Sequence, residues 1–402
     1  DTVIEYVKKA GDALSIKNNE INEDLIVYLD ESMDSSYIDA LKTVQENPEL
    51  ALKTDLKVVF TPLHGASGKT TKRILTEAGY QHIFYVDEQM EPNGEFPTVV
   101  SPNPEEESAF EYAIRYGEQY EADILIAVDP DGDRVGAAVK TKNGYKLLTG
   151  NQTGAILIEY LLMMRKEKGT MPAKGRVFKT IVTSDLGRVI AEYHGASTED
   201  VLTGFKFIGE KIKHYEETNE YEFLFGYEES YGYLVKDFAR DKDAIQSVLA
   251  LVEAAAYYKQ KGLTLVDVLN SLYERHGYYL EGLVSVTKKG VSGAKAIANL
   301  LEQIRVNPIT EVAGIEVLSQ EDYLSSVRTF TDGREQEKIL LPSSNVLKYF
   351  LADGSWVCVR PSGTEPKIKY YFGVTSDSAE ESQKKLEAIK ESFTGNLNQY
   401  LE

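Results

Sequence analysis

Short apolar runs rich in β-branched residues recur along the chain with helix-like segments between them, and this alternation restricts the fold more than any other feature. Leu56-Lys-Val-Val-Phe60 is followed by a helical stretch from Thr70 to Gly79 and by His82-Ile-Phe-Tyr-Val86. A second helical stretch over residues 105–120 then leads into Ile124-Leu-Ile-Ala-Val128. Strands separated by helices must be joined by crossovers, so a parallel or mixed sheet with helical cover is expected. An Asn-Gly turn at residues 143–144 closes this part. From Thr149-Gly-Asn-Gln-Thr-Gly154 the rhythm restarts, with a helix over 153–168, a strand over 176–182, a helix over 185–194, a strand over 221–225 and a helix over 241–261. Beyond residue 276 the order changes to strands such as Leu280–Val286, hairpin-like runs around Trp356 and Lys369, and a closing amphipathic helix over 378–400. The expected fold class is α/β: two α/β domains with mixed sheets covered by helices, plus a C-terminal α+β domain.

Length and charge narrow the function. At 402 residues the chain is too long for one ordinary core and reads as roughly two to four domains. Its 64 Asp plus Glu against 44 Lys plus Arg give a net charge of -20, which repels phosphate backbones and anionic lipid. No nucleic acid and no membrane is expected as partner, and an anionic small ligand requires locally clustered basic groups. The single Cys358 forms no internal disulfide and reads as a core thiol. No apolar run approaches the roughly 20 residues of a membrane helix and no signal peptide opens the chain, so a cytoplasmic location is expected. The chain starts at Asp1 without Met and enters a helix-like segment at once, which reads as a cut through a larger protein.

Val128-Asp-Pro-Asp-Gly-Asp-Arg-Val-Gly136 places Asp129, Asp131 and Asp133 directly after a buried apolar run. A hard divalent cation with oxygen ligands would hold such a cluster together. In an extended strand the outer two acids would lie ~13 Å apart, so the chain must curl, and Pro130 and Gly132 suit a curl. A solvated acidic turn is the alternative. An EF-hand is excluded, because Arg134 and Lys140 stand where its Gly and Glu belong. Gly65-Ala-Ser-Gly-Lys-Thr70 fails as a P-loop, because Leu63 holds the place of the first Gly. His64 reads as either a packed residue or a proton carrier. Arg360-Pro-Ser-Gly-Thr-Glu-Pro-Lys367 combines a guanidinium fork, hydroxyls and a backbone nest, the parts of a phosphate site or of a basic turn. Gly226-Tyr-Glu-Glu-Ser-Tyr-Gly232 offers acids and a Ser to sugar hydroxyls. Thr203-Gly-Phe-Lys-Phe-Ile-Gly209 and Ala239-Arg-Asp-Lys-Asp-Ala244 set Lys206 and Lys242 beside turns, either as functional or as surface lysines.

In this order, over nearly the whole chain, these segments resemble the α-D-phosphohexomutase family, the phosphoglucomutases and phosphomannomutases. The resemblance implies an intramolecular phosphotransferase that interconverts glucose 1-phosphate and glucose 6-phosphate through a phosphoserine, with glucose 1,6-bisphosphate as activator and intermediate. It implies that Asp129, Asp131 and Asp133 hold Mg²⁺ and that Arg134 lies near the reacting phosphate. Thr203 and Gly204 would line the sugar, Glu228 and Ser230 would hold its hydroxyls, and Arg360, Ser362, Gly363 and Thr364 would clamp the second phosphate. Lys242 resembles the general acid/base, with Lys206 the weaker candidate; burial or neighbouring positive charge would have to lower its pKa for that role.

The family's Thr-Ala-Ser-His-Asn-Pro-like phosphoserine loop does not occur, and Ser101-Pro-Asn-Pro104 echoes it only faintly. The expected division is therefore residues 1–45 as tail of a missing first domain and connecting helix, 46–150 as metal-loop domain, 151–276 as sugar-binding domain and 277–402 as C-terminal phosphate-binding domain. The missing domain is the expected partner, a hexose phosphate the expected substrate, and the 402 residues by themselves are expected to be inactive. Alternatives are a phosphomannomutase or phosphopentomutase of the same family, or a non-catalytic sugar-phosphate-binding protein.

Overall fold

The computed structural model describes residues 2–11, 22–288, 290–362 and 367–398. The chain divides into two compact units, residues 1–39 and 40–402. The first holds the helix Thr2–Ala10, the single turn Glu23–Leu25 and the start of the helix Glu31–Lys42. All that follows concerns the second.

Its first sheet runs Ile83–Tyr85, Val58–Thr61, Ile124–Val128, Val135–Thr141, Gly144–Leu147. The first three strands are parallel and the last two antiparallel, joined through the Asn143-Gly144 turn, where Gly144 adopts φ +99°. Ile124–Val128 is buried along its whole length, which is why it reads as an unbroken apolar run. The second sheet repeats the plan with Ser197–Val201, Gly175–Thr180, Glu222–Tyr227 and Tyr233–Leu234, parallel except for the last. In both, the first strand in sequence lies between the second on one side and the third on the other. The two α/β units thus share a topology their sequences do not display. The remaining strands form one antiparallel sheet in which Leu280–Thr287, Lys367–Val374, Trp356–Pro361 and Leu347–Leu351 lie side by side, with the helices Gly290–Val306 and Ala379–Asn398 packed into its core. This is the expected α/β fold class with a C-terminal α+β part.

Several elements escape the sequence pattern, among them the helix Leu265–His276 and the strand Ile315–Asp322. Ser197–Val201 is a polar edge strand with no apolar alternation, and Lys206–Thr218 is a helix where the Thr203–Gly209 segment suggests only a turn. That helix buries Ile208, Ile212 and Tyr215, a stripe diluted by the charged residues around it.

Candidate active site

In doubly wound sheets, ligands bind beyond the carboxyl ends of parallel strands, where neighbouring connections leave in opposite directions. The first sheet has this crevice between Val58–Thr61 and Ile124–Val128. Both loops there are held against each other, since Ala66 N–H donates to Pro130 O at 2.9 Å. Gly65 permits the approach: a Cβ would lie 2.4 Å from Pro130 Cα. The incomplete P-loop is thus a backing for the carboxylate loop, and buried His64, whose Nε2 lies 2.8 Å from Thr98 Oγ1, is a packed residue.

The carboxylate loop curls as expected. Gly132, at φ +78°, donates its N–H to Asp129 O at 3.1 Å, and Asp129 Oδ1 accepts from the N–H groups of Asp133 at 3.0 Å and Arg134 at 2.9 Å. One oxygen from each of Asp129, Asp131 and Asp133 falls within 4.8 Å of the others. Burial, reinforced by the Asp133 and Asp131 charges, pushes the Asp129 carboxyl up to about 7. Among the described residues, the buried Asp133 Oδ1 has no hydrogen-bond partner. Converging carboxylates that repel one another, one of them with a buried oxygen that accepts no hydrogen bond among the described residues, fit a hard divalent cation.

The second sheet supplies its own crevice. Gly175–Thr180 leads into the Thr180 and Thr183 hydroxyls, both donated to Glu229 Oε2 at 3.1 Å, and Glu222–Tyr227 leads into Glu228. Glu228 Oε1 accepts from Gly204 N–H at 2.8 Å, so the two segments expected at the sugar meet directly. Burial and the Glu229 charge raise the Glu228 carboxyl. Backbone hydrogen bonds stitch this loop to the carboxylate loop: Val135 N–H donates to Tyr231 O at 3.0 Å and Ala244 N–H to Gly132 O at 3.1 Å.

Lys242 Nζ reaches Asp133 Oδ2 at 2.7 Å. Burial pulls its pKa down, but the Asp133 hydrogen bond and the Asp133, Glu228 and Asp241 charges outweigh it and leave Lys242 above the ordinary lysine value, opposite to the expected lowering. Gly232 makes room for it, since a Cβ there would lie 2.2 Å from Lys242 Cδ. Gly232→Ala is expected to drive the ammonium out of hydrogen-bond range of Asp133. A crystal structure of the variant with that 2.7 Å contact intact would contradict this.

A cavity of about 420 Å³ opens between these loops and the C-terminal sheet. Arg134, Thr203, Gly204, Glu228, Ser230 and Arg360 line it. Asp129, Asp131, Asp133 and Lys242 stand outside its wall but beside Arg134, whose Nε lies 3.9 Å from Asp129 and 3.6 Å from Asp133. Exposed Lys206 is not brought in; its ammonium sits over the Phe207 ring. Ser362 N–H donates to Lys367 O at 2.7 Å and the residue is not on the wall, while Gly363 and Thr364 lie outside the described residues.

Sequence reasoning missed Lys369, which also lines the cavity. Lys369 and Arg360 are directly paired across adjacent antiparallel strands. Like charges in that position destabilise a sheet, so an anion in front of them is the natural compensation. The signal was available in principle, because a strand alternating Lys367, Lys369 and Tyr371 turns these three to one face. Asn151, Glu105, Glu229 and Glu281 are further wall residues, of which Glu229 belongs to the Gly226–Gly232 segment. Glu281 accepts from Asn151 Nδ2 at 3.2 Å, and burial with the Asp185 charge pushes it up to about 7.

Comparison with known proteins agrees with this geometry. Three models of the phosphoglucomutase/phosphomannomutase family match in sequence order: alpha/beta/alpha domain II over residues 35–144, alpha/beta/alpha domain III over 149–276 and the C-terminal domain over 303–390. The phosphoglucomutase of Staphylococcus haemolyticus is 36% identical over 385 residues, 94% of this chain and 68% of the relative. That of Staphylococcus aureus is 34% identical over 390 residues, 97% of this chain and 69% of the relative. The chain therefore spans about two thirds of the length of these relatives. A phosphoglucomutase/phosphomannomutase family protein from Burkholderia thailandensis shares the fold at TM-score 0.63 and 18% identity, over 92% of this chain and 64% of that one. The open form of parafusin from Paramecium does so at TM-score 0.63 and 17% identity, over 91% and 62%. With domains II, III and IV matched in order and the sugar and carboxylate loops stitched together beside one cavity, the chain belongs to the phosphoglucomutase/phosphomannomutase family, the α-D-phosphohexomutases.

Proposed function

We propose that the chain carries the metal, sugar and phosphate loops of a phosphoglucomutase-type enzyme acting between glucose 1-phosphate and glucose 6-phosphate. The observation behind this reading is the convergence of Arg134, Glu228, Ser230 and the Arg360/Lys369 pair on a single cavity. Arg360 and Lys369 take the phosphate that does not react, which fixes the orientation of the sugar. Glu228 and Ser230 accept and donate to its hydroxyls, with Thr203 and Gly204 beside them. Arg134 faces the reacting phosphate, where a guanidinium neutralises charge during transfer. Asp129, Asp131 and Asp133 would hold Mg²⁺, which when bound would supply neutralising positive charge for phosphoryl transfer. Lys242, held on Asp133 beside the carboxylate loop, is the proton donor to the oxygen that leaves phosphorus in this reading.

In this scheme the phosphoryl group comes from a phosphoserine, and the 402 residues contain no Thr-Ala-Ser-His-Asn-Pro-like loop. Turnover by these residues alone is therefore expected to be negligible, whereas binding of glucose 1,6-bisphosphate is retained. Calorimetric titration of that bisphosphate in the presence of Mg²⁺ tests the reading. Arg360→Ala should weaken binding by roughly 10- to 100-fold, the loss of a charged bidentate contact. Absence of saturable binding in the unsubstituted chain would refute the proposed site. Mg²⁺-dependent conversion of glucose 1-phosphate by the chain alone would refute the need for the outside phosphoserine.

A further inference from the structure

The cavity presents four carboxylates, Glu105, Glu228, Glu229 and Glu281, against three cations, Arg134, Arg360 and Lys369. Such a wall is a poor receptor for a sugar phosphate unless the acids are occupied otherwise. Three of them are. Glu228 takes the Gly204 N–H at 2.8 Å, Glu229 takes the Thr180 and Thr183 hydroxyls at 3.1 Å, and Glu281 takes the Asn151 amide at 3.2 Å. Glu105 differs in kind. Its Oε1 accepts from Arg134 Nη1 at 2.9 Å, and among the described residues its carboxylate has no other hydrogen bond. The one group that satisfies Glu105 is thus the guanidinium nearest the carboxylate loop.

The contact is built into the fold. Glu105 sits on the loop 101–106, where its N–H donates to Asn103 Oδ1 at 3.1 Å and Glu106 N–H donates to Asn103 O at 3.0 Å. The loop lies directly on the strand that follows the carboxylates, because a Cβ at Gly136 would come within 2.5 Å of Pro104 O. Backbone on both sides therefore fixes where the Glu105 carboxylate meets the Arg134 fork. A guanidinium takes carboxylate and phosphate with the same planar, paired geometry, and a phosphate dianion attracts it more strongly than a carboxylate.

We propose that Glu105 is an internal stand-in for a ligand phosphate: it occupies Arg134 in the empty cavity and gives the guanidinium up when a dianionic phosphate enters. The inference rests on the function proposed above and names the selected ligand class, since a neutral sugar or a sugar acid with one carboxylate gains nothing by the exchange. Glu105 is accordingly a specificity and positioning residue.

The test is calorimetric titration of the full chain, with Mg²⁺ present, using glucose 1,6-bisphosphate and, separately, inorganic phosphate. Glu105→Gln is expected to bind the bisphosphate about 5- to 30-fold tighter, the gain from freeing the Arg134 guanidinium of a competing, partly screened carboxylate, and the gain should shrink as salt rises. In an Arg134→Gln background the same replacement should give no gain. Glu105→Ser, with thermal melting as a check on folding, provides a second variant with the same expectation. Unchanged or weaker binding by a folded Glu105 variant overturns the inference alone. A gain that persists without Arg134 overturns it as well. Failure of the unsubstituted chain to bind any bisphosphate overturns the proposed function and this inference together.

Discussion

Replacing Asp131 and Asp133 together by Asn is expected to lower Mn²⁺ or Mg²⁺ affinity by roughly 100-fold or more, since each replacement removes an anionic oxygen from a site that has few. The two acids contribute differently. Asp133 has one buried oxygen without a hydrogen bond and one that takes the Lys242 ammonium at 2.7 Å. Asp131 is exposed and joins the cluster only through the curl that Gly132 permits. A purely structural role for these acids predicts a less stable variant. A metal role predicts the reverse in metal-free buffer, because the change relieves repulsion among three carboxylates within 4.8 Å of one another. Thermal melting with chelator, beside calorimetric titration of Mn²⁺, separates the two. Undiminished metal affinity in the double variant would remove the assignment.

Much of this site could be read from order along the chain. Curling of the Asp129–Arg134 loop follows from Pro130 and Gly132, and its position follows from the apolar strand before it. The meeting of Glu228 with Gly204 was less legible, because it joins the ends of separate strands and depends on the second sheet repeating the first. Lys369 was missed for a related reason: a cation on a strand looks like an ordinary exposed residue until the register places it opposite Arg360. Conversely, Lys206 belongs to a recognisable segment yet lies exposed on a helix start. Sequence neighbourhood brings a backbone to a site, whereas side-chain direction there is set by whether the local element is helix or turn.

Glu253→Ala is expected to cost about 3–5 kcal/mol in urea unfolding, because it leaves several buried donors unpaired and opens a cavity. Glu253 is fully buried in the helix Ala244–Gln260. Its Oε1 accepts from Glu46 N–H at 2.8 Å and Tyr160 Oη at 2.8 Å, and its Oε2 accepts from Asn47 N–H at 3.0 Å. Buried Glu46 in turn takes Arg165 Nε at 2.7 Å, so this carboxylate pair joins the segment before the first sheet to the helices over the second. Burial raises the Glu253 carboxyl above 4.5 despite these donors. A carboxyl raised on folding binds more protons in the folded chain than in the unfolded one, so its contribution is fullest at pH below 4.5 and falls as pH rises through the folded-state value. Glu253→Gln has no such slope. Its amide keeps the Oε1 contacts and loses only the one to Asn47, so it should be the milder variant, with a penalty of about 1–2 kcal/mol. That penalty should shrink as pH rises from 4.5, because the wild type weakens as its raised carboxyl ionises while the variant has no such group. A Gln penalty that stays constant or grows towards pH 8 would show that the buried carboxyl is not held in its raised state. The same helix starts at Asp243, next to Lys242, so loosening its anchor at Glu253 should also loosen the Lys242–Asp133 contact.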